Sequence, residues 1–285
     1  MKDTAILLLS CPDQRGVVAA VTDFLLKNDG NILTLDEHID SETKQFFMRV
    51  EWELKGFGIP QDKITDYFET LVAKRFELGW KIEFCKCIPR AALFVSKHAH
   101  CFFDILNRWE SGEWKIEIPL IISNHEKFKP IAERHNIPYY YVPINKTNKK
   151  QQEAEEKALL DKYNIDFIIL ARYMQILTSD FIKQFPNRII NIHHSSLPAF
   201  PGANPYRSAY ERGVKIMGAT AHYVTEELDA GPIIVQDIIP ISHNDSIREM
   251  KRKGKDVEKR VLAQAVWEHI NHKVMPYKNK TIVFS

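Results

Sequence analysis

Cysteine is scarce in this chain, with four among 285 residues, at positions 11, 85, 87 and 101. Their spacing lacks the paired CxxC motifs of a zinc site and the density of a secreted disulfide framework. Cys11, Cys85, Cys87 and Cys101 therefore read as reduced, mostly buried small residues. An excess of one charge is lacking too: 39 Lys and Arg against 37 Asp and Glu leave a formal net charge of +2. So weak a field gives no ground for nucleic-acid binding. Long apolar runs are missing, which removes any candidate for a bilayer span. The opening Met1-Lys2-Asp3-Thr4 runs straight into Ala5-Ile6-Leu7-Leu8-Leu9, an apolar stretch too short for a secretory signal. A cytoplasmic location, with neither membrane nor nucleic acid as partner, is the expectation. Absent as well are a GxSxG elbow and an HExxH pair, so neither a covalent nucleophile nor a catalytic metal is prompted, and no cofactor is expected.

What is present is an ordinary globular composition, 45% hydrophobic and 27% charged, long enough for two cores. Residues 4 to 10 read as a buried strand, closed by Cys11-Pro12-Asp13-Gln14-Arg15-Gly16. Val17, Val21, Phe24 and Leu25 then recur at helical spacing until Asp29-Gly30-Asn31. Strands follow at 32 to 39 and 46 to 54, a helix marked by Ile64, Phe68, Leu71 and Val72, and a strand from Trp80 to Lys86. The order βαββαβ predicts a ferredoxin-like domain over 1–86. From residue 90 to 285 strands alternate with helices, which predicts a Rossmann-like α/β domain with a mostly parallel sheet. Its strand candidates include Ala91 to Ser96, Phe167 to Ala171 and Arg188 to His193, and a long helix closes the chain.

Within the second domain, Ile189-Ile190-Asn191-Ile192-His193-His194 is an apolar strand that delivers an amide and an imidazole two residues apart. Side chains at i and i+2 share a face, so Asn191 and His193 point together and His194 points away. On the motif alone, a pair that merely caps the strand is as good a reading as a catalytic one. Asp229, in the turn Leu228-Asp229-Ala230-Gly231-Pro232, is most simply a turn residue bonding its own backbone. It gains meaning as the carboxylate that would fix the tautomer of an imidazole. Together the three would suit acyl transfer without a covalent intermediate, with Asn as oxyanion donor and His with Asp handling protons. Pro201-Gly202-Ala203-Asn204-Pro205 reads as a loop with Asn204 as helix cap, and Lys251-Arg252-Lys253-Gly254-Lys255 as a solvated helix end.

Asn191-Ile192-His193 with Ser195, Leu197 and Pro198, followed by His222-Tyr223-Val224-Thr225-Glu226-Glu227-Leu228-Asp229-Ala230-Gly231-Pro232, resembles the signature of enzymes that use 10-formyltetrahydrofolate. The resemblance implies catalytic roles for Asn191, His193 and Asp229. It implies that Leu170, Met174, Gln175, Ile176 and Leu177, with Val224, Thr225, Glu226, Glu227 and Leu228, hold the folate. Cys11 to Gly16 with Gly30-Asn31-Ile32 resembles an ACT domain, which implies a homo-oligomer and an amino-acid effector near Asp13, Gly16, Asn31 and Ile32. An ACT domain joined to this catalytic domain is similar to the formyltetrahydrofolate deformylases. The resemblance then implies hydrolysis of 10-formyltetrahydrofolate to tetrahydrofolate and formate. Transferases of this family carry a glycine-rich phosphate loop after the first strand, whereas here that stretch is Ser96-Lys97-His98-Ala99-His100-Cys101, without glycine. Water is thus the expected acceptor. The alternatives are a formyltransferase whose phosphorylated amine is held by Lys97, His98 and His100, or a silent folate-binding oligomer.

Overall fold

The computed structural model describes residues 3–85, 88–145, 147–198 and 205–284. Two compact units result, Met1–Ile88 with His272–Met275 and Ile282–Ser285, and Pro89–Asn271 with Pro276–Thr281. The boundary at residue 88 is therefore crossed again near the end of the chain.

In the first unit, alternation in β1 (Thr4–Pro12) sends Ala5, Leu7, Leu9 and Cys11 into the same core as Val17, Val21, Phe24 and Leu25 of α1 (Val17–Lys27). β2 (Ile32–Asp40) and β3 (Gln45–Glu53) follow, and β3 adds Phe46, Met48, Val50 and Trp52. α2 (Gln61–Phe68) passes through a π-helical turn, Glu69–Ala73, into the short α3 (Lys74–Phe76) before β4 (Gly79–Phe84). The wide turn spaces Ile64, Phe68, Val72 and Phe76 by four residues along the buried side. Leu71, expected on that side, is exposed instead. The sheet is antiparallel in the order β2-β3-β1-β4.

The second unit begins with β5 (Arg90–Val95), α4 (His100–Glu110), β6 (Glu117–Ser123), α5 (Lys129–Arg134), β7 (Tyr139–Tyr141) and α6 (Lys149–Lys162). It continues with β8 (Phe167–Ala171), α7 (Ser179–Ile182), β9 (Ile189–His193) and α8 (Pro205–Arg212), so Pro205 takes the first helical position as expected. The proposed Asn204 cap and the loop before it lie outside the described residues, as does Cys87. β10 (Ile216–Tyr223), β11 (Ile233–Pro240) and α9 (Ile247–Ile270) complete the unit. Two short strands that the pattern had not revealed, β12 (Val274–Tyr277) and β13 (Lys280–Val283), pair with each other. The sheet order is β11-β10-β9-β8-β5-β6-β7, parallel from β9 to β7 and antiparallel at β10 and β11. From β5 the chain builds outward through β6 and β7, then returns to build β8 and β9 on the other side. The carboxyl ends of β5 and β8 therefore flank the switch point, where sheets of this kind leave a crevice for ligands.

Candidate active site

Register decides which side chains meet. Leu170 of β8 lies opposite Asn191 of β9, and Asn191 opposite His222 of β10, so the three form a row across the sheet. His193 is the last residue of β9, two steps beyond Asn191 on the same face. Thr220 lies opposite His193, and its hydroxyl anchors the following turn by donating to the Ser195 carbonyl and accepting from Leu197 N–H.

The β10–β11 connection brings Asp229 back to this row. Gly231 permits the tight return, since a Cβ there would fall 1.8 Å from the carbonyl oxygen of Tyr223. Asp229 adopts a left-handed backbone, φ 55°, which an aspartate tolerates better than most residues. Its Oδ2 lies 3.2 Å from His193 Nδ1 and its Oδ1 3.7 Å from His222 Nε2. The hydrogen bond from His193 holds the Asp229 carboxyl well below the usual carboxylate range. An ionised Asp229 that accepts at His193 Nδ1 leaves the lone pair of that ring on Nε2. His193 is buried, and its Nε2 has no hydrogen-bond partner among the described residues.

His222, quoted in the sequence motif but given no role, orders the amide. Its Nδ1 faces the Tyr223 carbonyl at 2.9 Å and must donate there, because a carbonyl can only accept. Nε2 thus accepts from Asn191 Nδ2 at 3.2 Å. One amide hydrogen is fixed, and the second is oriented by the same bond.

His194 departs from the expectation of an opposite face. Its ring lies 5.0 Å from that of His193 and 6.1 Å from Tyr206. The strand has ended, so strict alternation no longer applies. Burial, with Arg172 nearby, lowers the His194 imidazole to about 4, leaving it neutral.

The loops expected to hold folate also border the row. Leu170 and Leu177 are buried with Tyr173 in one apolar cluster, and Val224 packs on it. Met174, Ile176 and Leu228 on these loops are 54%, 60% and 61% exposed. Gln175 and Thr225 are half-buried, and the Thr225 hydroxyl donates to the Glu227 carbonyl. Glu226 reaches Lys183 at 3.4 Å. Under this loop Tyr173 donates to Glu156 Oε1 at 2.8 Å, while Oε2 of the fully buried Glu156 has no partner among the described residues. Burial raises Glu156 to about 7, against the opposing bond from Tyr173. A carboxyl raised on folding loses stability as pH climbs from its unfolded value of 4.5 through about 7. Glu156→Gln should therefore raise the melting temperature at pH 8 by several degrees, about 2–3 kcal/mol, and change little at pH 4. Melting curves at the two pH values check this.

A second polar cluster was not anticipated. Glu258, 2% exposed, is met by His100 Nε2 at 2.7 Å, the Tyr206 hydroxyl at 2.8 Å and Arg172 Nε at 3.3 Å. The Arg172 contact is an ion pair without hydrogen-bond alignment. Cys101 Sγ joins His100 and Glu258 within 4.8 Å, a set of metal-ligand types. Burial keeps that thiol protonated, however, and Glu258 is already engaged by a guanidinium, so the set reads as an ion-pair cluster. The only sequence signal was a glutamate beside the apolar stripe Val257, Val261, Leu262. The basic run at 251–255 lies in the first turns of α9 with Lys251, Arg252 and Lys255 exposed to solvent; Arg252 pairs with Glu249 and Lys253 with Asp245, near the Ser246 cap. A cavity of about 290 Å³ lined by Arg108, Glu113, Arg260, Ala263, Gln264 and Trp267 shares no residue with either cluster.

In the first unit, Asp13 and Gly16, the latter left-handed at φ 93°, lie at the start of α1, whereas Asn31 and Ile32 follow its end. Eleven helical residues separate the pairs by about 16 Å, so one chain does not bring them together. Asn31 is engaged by Glu53 at 3.0 Å.

Residues 89–266 match the family model described as formyl transferase. A formyltetrahydrofolate deformylase of Synechocystis sp. is 52% identical over 282 residues, 99% of either chain. One of Bacillus subtilis is 46% identical over 285 residues, 100% of this chain and 95% of its own. The crystal structure of a formyltetrahydrofolate deformylase from Pseudomonas syringae pv. tomato matches with a TM-score of 0.96 at 42% identity, covering 100% of this chain and 95% of that one.

Proposed function

The chain belongs to the formyl transferase family and, within it, to the formyltetrahydrofolate deformylases; on that premise we propose that it hydrolyses 10-formyltetrahydrofolate through Asn191, His193 and Asp229. The observation that carries the assignment is the buried, unpartnered Nε2 of His193, on a ring whose Nδ1 is held by an ionised carboxylate. Nε2 takes a proton from water as its oxygen attacks the formyl carbon. The second N–H of Asn191 donates to the oxyanion that develops on the formyl oxygen. His193 then returns the proton to N10, the C–N bond breaks, and formate leaves with tetrahydrofolate. The apolar side chains of Met174, Ile176 and Leu228 supply a surface for the flat rings of the folate, with Leu170 and Leu177 beneath.

No metal or other cofactor enters this scheme. Purified protein given 10-formyltetrahydrofolate, a chelator and no amine should release formate and tetrahydrofolate in equal amounts. Formate that appears only when an amine or a metal ion is added would overturn the reading.

For the first unit the proposal is a ferredoxin-like ACT module that assembles the chain into a homo-oligomer and senses an amino acid. Its βαββαβ order and antiparallel sheet support this. Because Asp13 with Gly16 and Asn31 with Ile32 lie at opposite ends of α1, a site using both pairs would draw them from two copies. A cytoplasmic setting agrees with a folate substrate, and no described helix is long and apolar enough to cross a membrane.

A further inference from the structure

The switch-point crevice between β5 and β8 is where a sheet of this topology offers room for a second ligand, and phosphates are favoured there when glycines let backbone N–H groups approach. Val95 and Ala171 are the last paired residues of the two strands, so Ser96 and Arg172 stand side by side at its mouth. The loop that follows has no glycine, and Ser96 is occupied, donating to Asn124 and accepting from Met174 N–H. Arg172 adopts a left-handed backbone, φ 60°, unusual for so large a side chain, and is itself buried. An arginine, an imidazole and a tyrosine hydroxyl converging on one point make a set of donors suited to a phosphate monoester. Here the point is filled by a carboxylate from the same chain.

We propose that Glu258 is a built-in anion, held by Arg172, His100 and Tyr206, that closes the crevice to a phosphorylated amine and so leaves water as the formyl acceptor. The inference rests on the hydrolytic reading above. The seat is tailored to Glu258: a Cβ on Gly254, one turn earlier on α9, would lie 2.4 Å from the Tyr206 hydroxyl that donates to it. Burial pushes the Glu258 carboxyl up, but the bond from His100 and the charge of Arg172 outweigh it and hold it at about 2, so the occupant is anionic. The cluster also adjoins the catalytic row, since His194 stacks on Tyr206 and lies 5.0 Å from His193. The alternative acceptor site at Lys97, His98 and His100 thus finds His100 already taken.

Glu258→Ala removes both the charge and the side-chain atoms that fill the point. The probe is 2-aminoethyl phosphate, a primary amine on a phosphate monoester, followed by calorimetry and as an inhibitor of formate release. The parent should bind it negligibly; Glu258→Ala should bind it at least about tenfold tighter, a gain of about 1.4 kcal/mol. Adding Arg172→Gln should abolish that gain. A folded Glu258→Ala protein with affinity as weak as the parent's would overturn the proposal. If the unpaired guanidinium prevents folding, inorganic phosphate should restore the native circular dichroism in a concentration-dependent way. No restoration would count equally against it. Calorimetry needs no turnover, so these outcomes are separate from the formate assay that tests the hydrolytic reading on the parent.

Discussion

Replacing His193 by alanine is expected to lower the rate of formate release by about a thousand-fold or more, the upper part of the range for losing a positioned general base. The ring is the only group near Asn191 that pairs an imidazole with an ionised carboxylate and keeps a buried nitrogen without a partner among the described residues. His194 lies within 5.0 Å but makes a poor substitute. With its imidazole lowered to about 4, it is a weak base at neutral pH. Steady-state formate release by His193→Ala, with melting temperature as the control for folding, checks the expectation. A variant that keeps a tenth of the parent rate would shift the role to His194 or to another site.

Asp229→Asn is expected to cost about a hundred-fold to ten-thousand-fold in turnover with little change in the binding of folate. Asparagine suits the left-handed backbone at φ 55°, so the loop should keep its path. What changes is the partner of His193 Nδ1. An amide can offer N–H there, which favours the tautomer with its proton on Nε2, the atom that must accept from water. The imidazolium formed as water attacks also loses its counter-charge. A fall in kcat with KM held within about threefold would support this role, whereas an increase in KM alone would make Asp229 a binding residue.

The two largest effects fall on residues that the sequence already singled out, and the reason is local. Asn191 and His193 are fixed by period 2 in a strand whose apolar neighbours leave no other reading of its faces. Asp229 follows from a turn whose Gly231-Pro232 must close beneath Tyr223. His194 was misplaced because alternation was carried one residue past the end of β9. Leu71 was misplaced because a π-helical turn has no composition signal that differs from an α-helical one.

The cluster around Glu258 was beyond local reading. Arg172 follows β8, His100 opens α4, Tyr206 lies in α8 and Glu258 in the middle of α9, positions separated by up to 158 residues. Each alone looks like a surface charge or a helix residue. The amino-acid sequence by itself determined the α/β alternation, the shared face of Asn191 and His193 and the absence of glycine after β5, because strand period and backbone freedom act over a few residues. Only the tertiary structure decided that His222 orders Asn191 and that Glu258 meets His100, Tyr206 and Arg172. Strand order and helix packing alone bring groups so distant in the chain within hydrogen-bonding reach, and burial there requires that each charge find its partner.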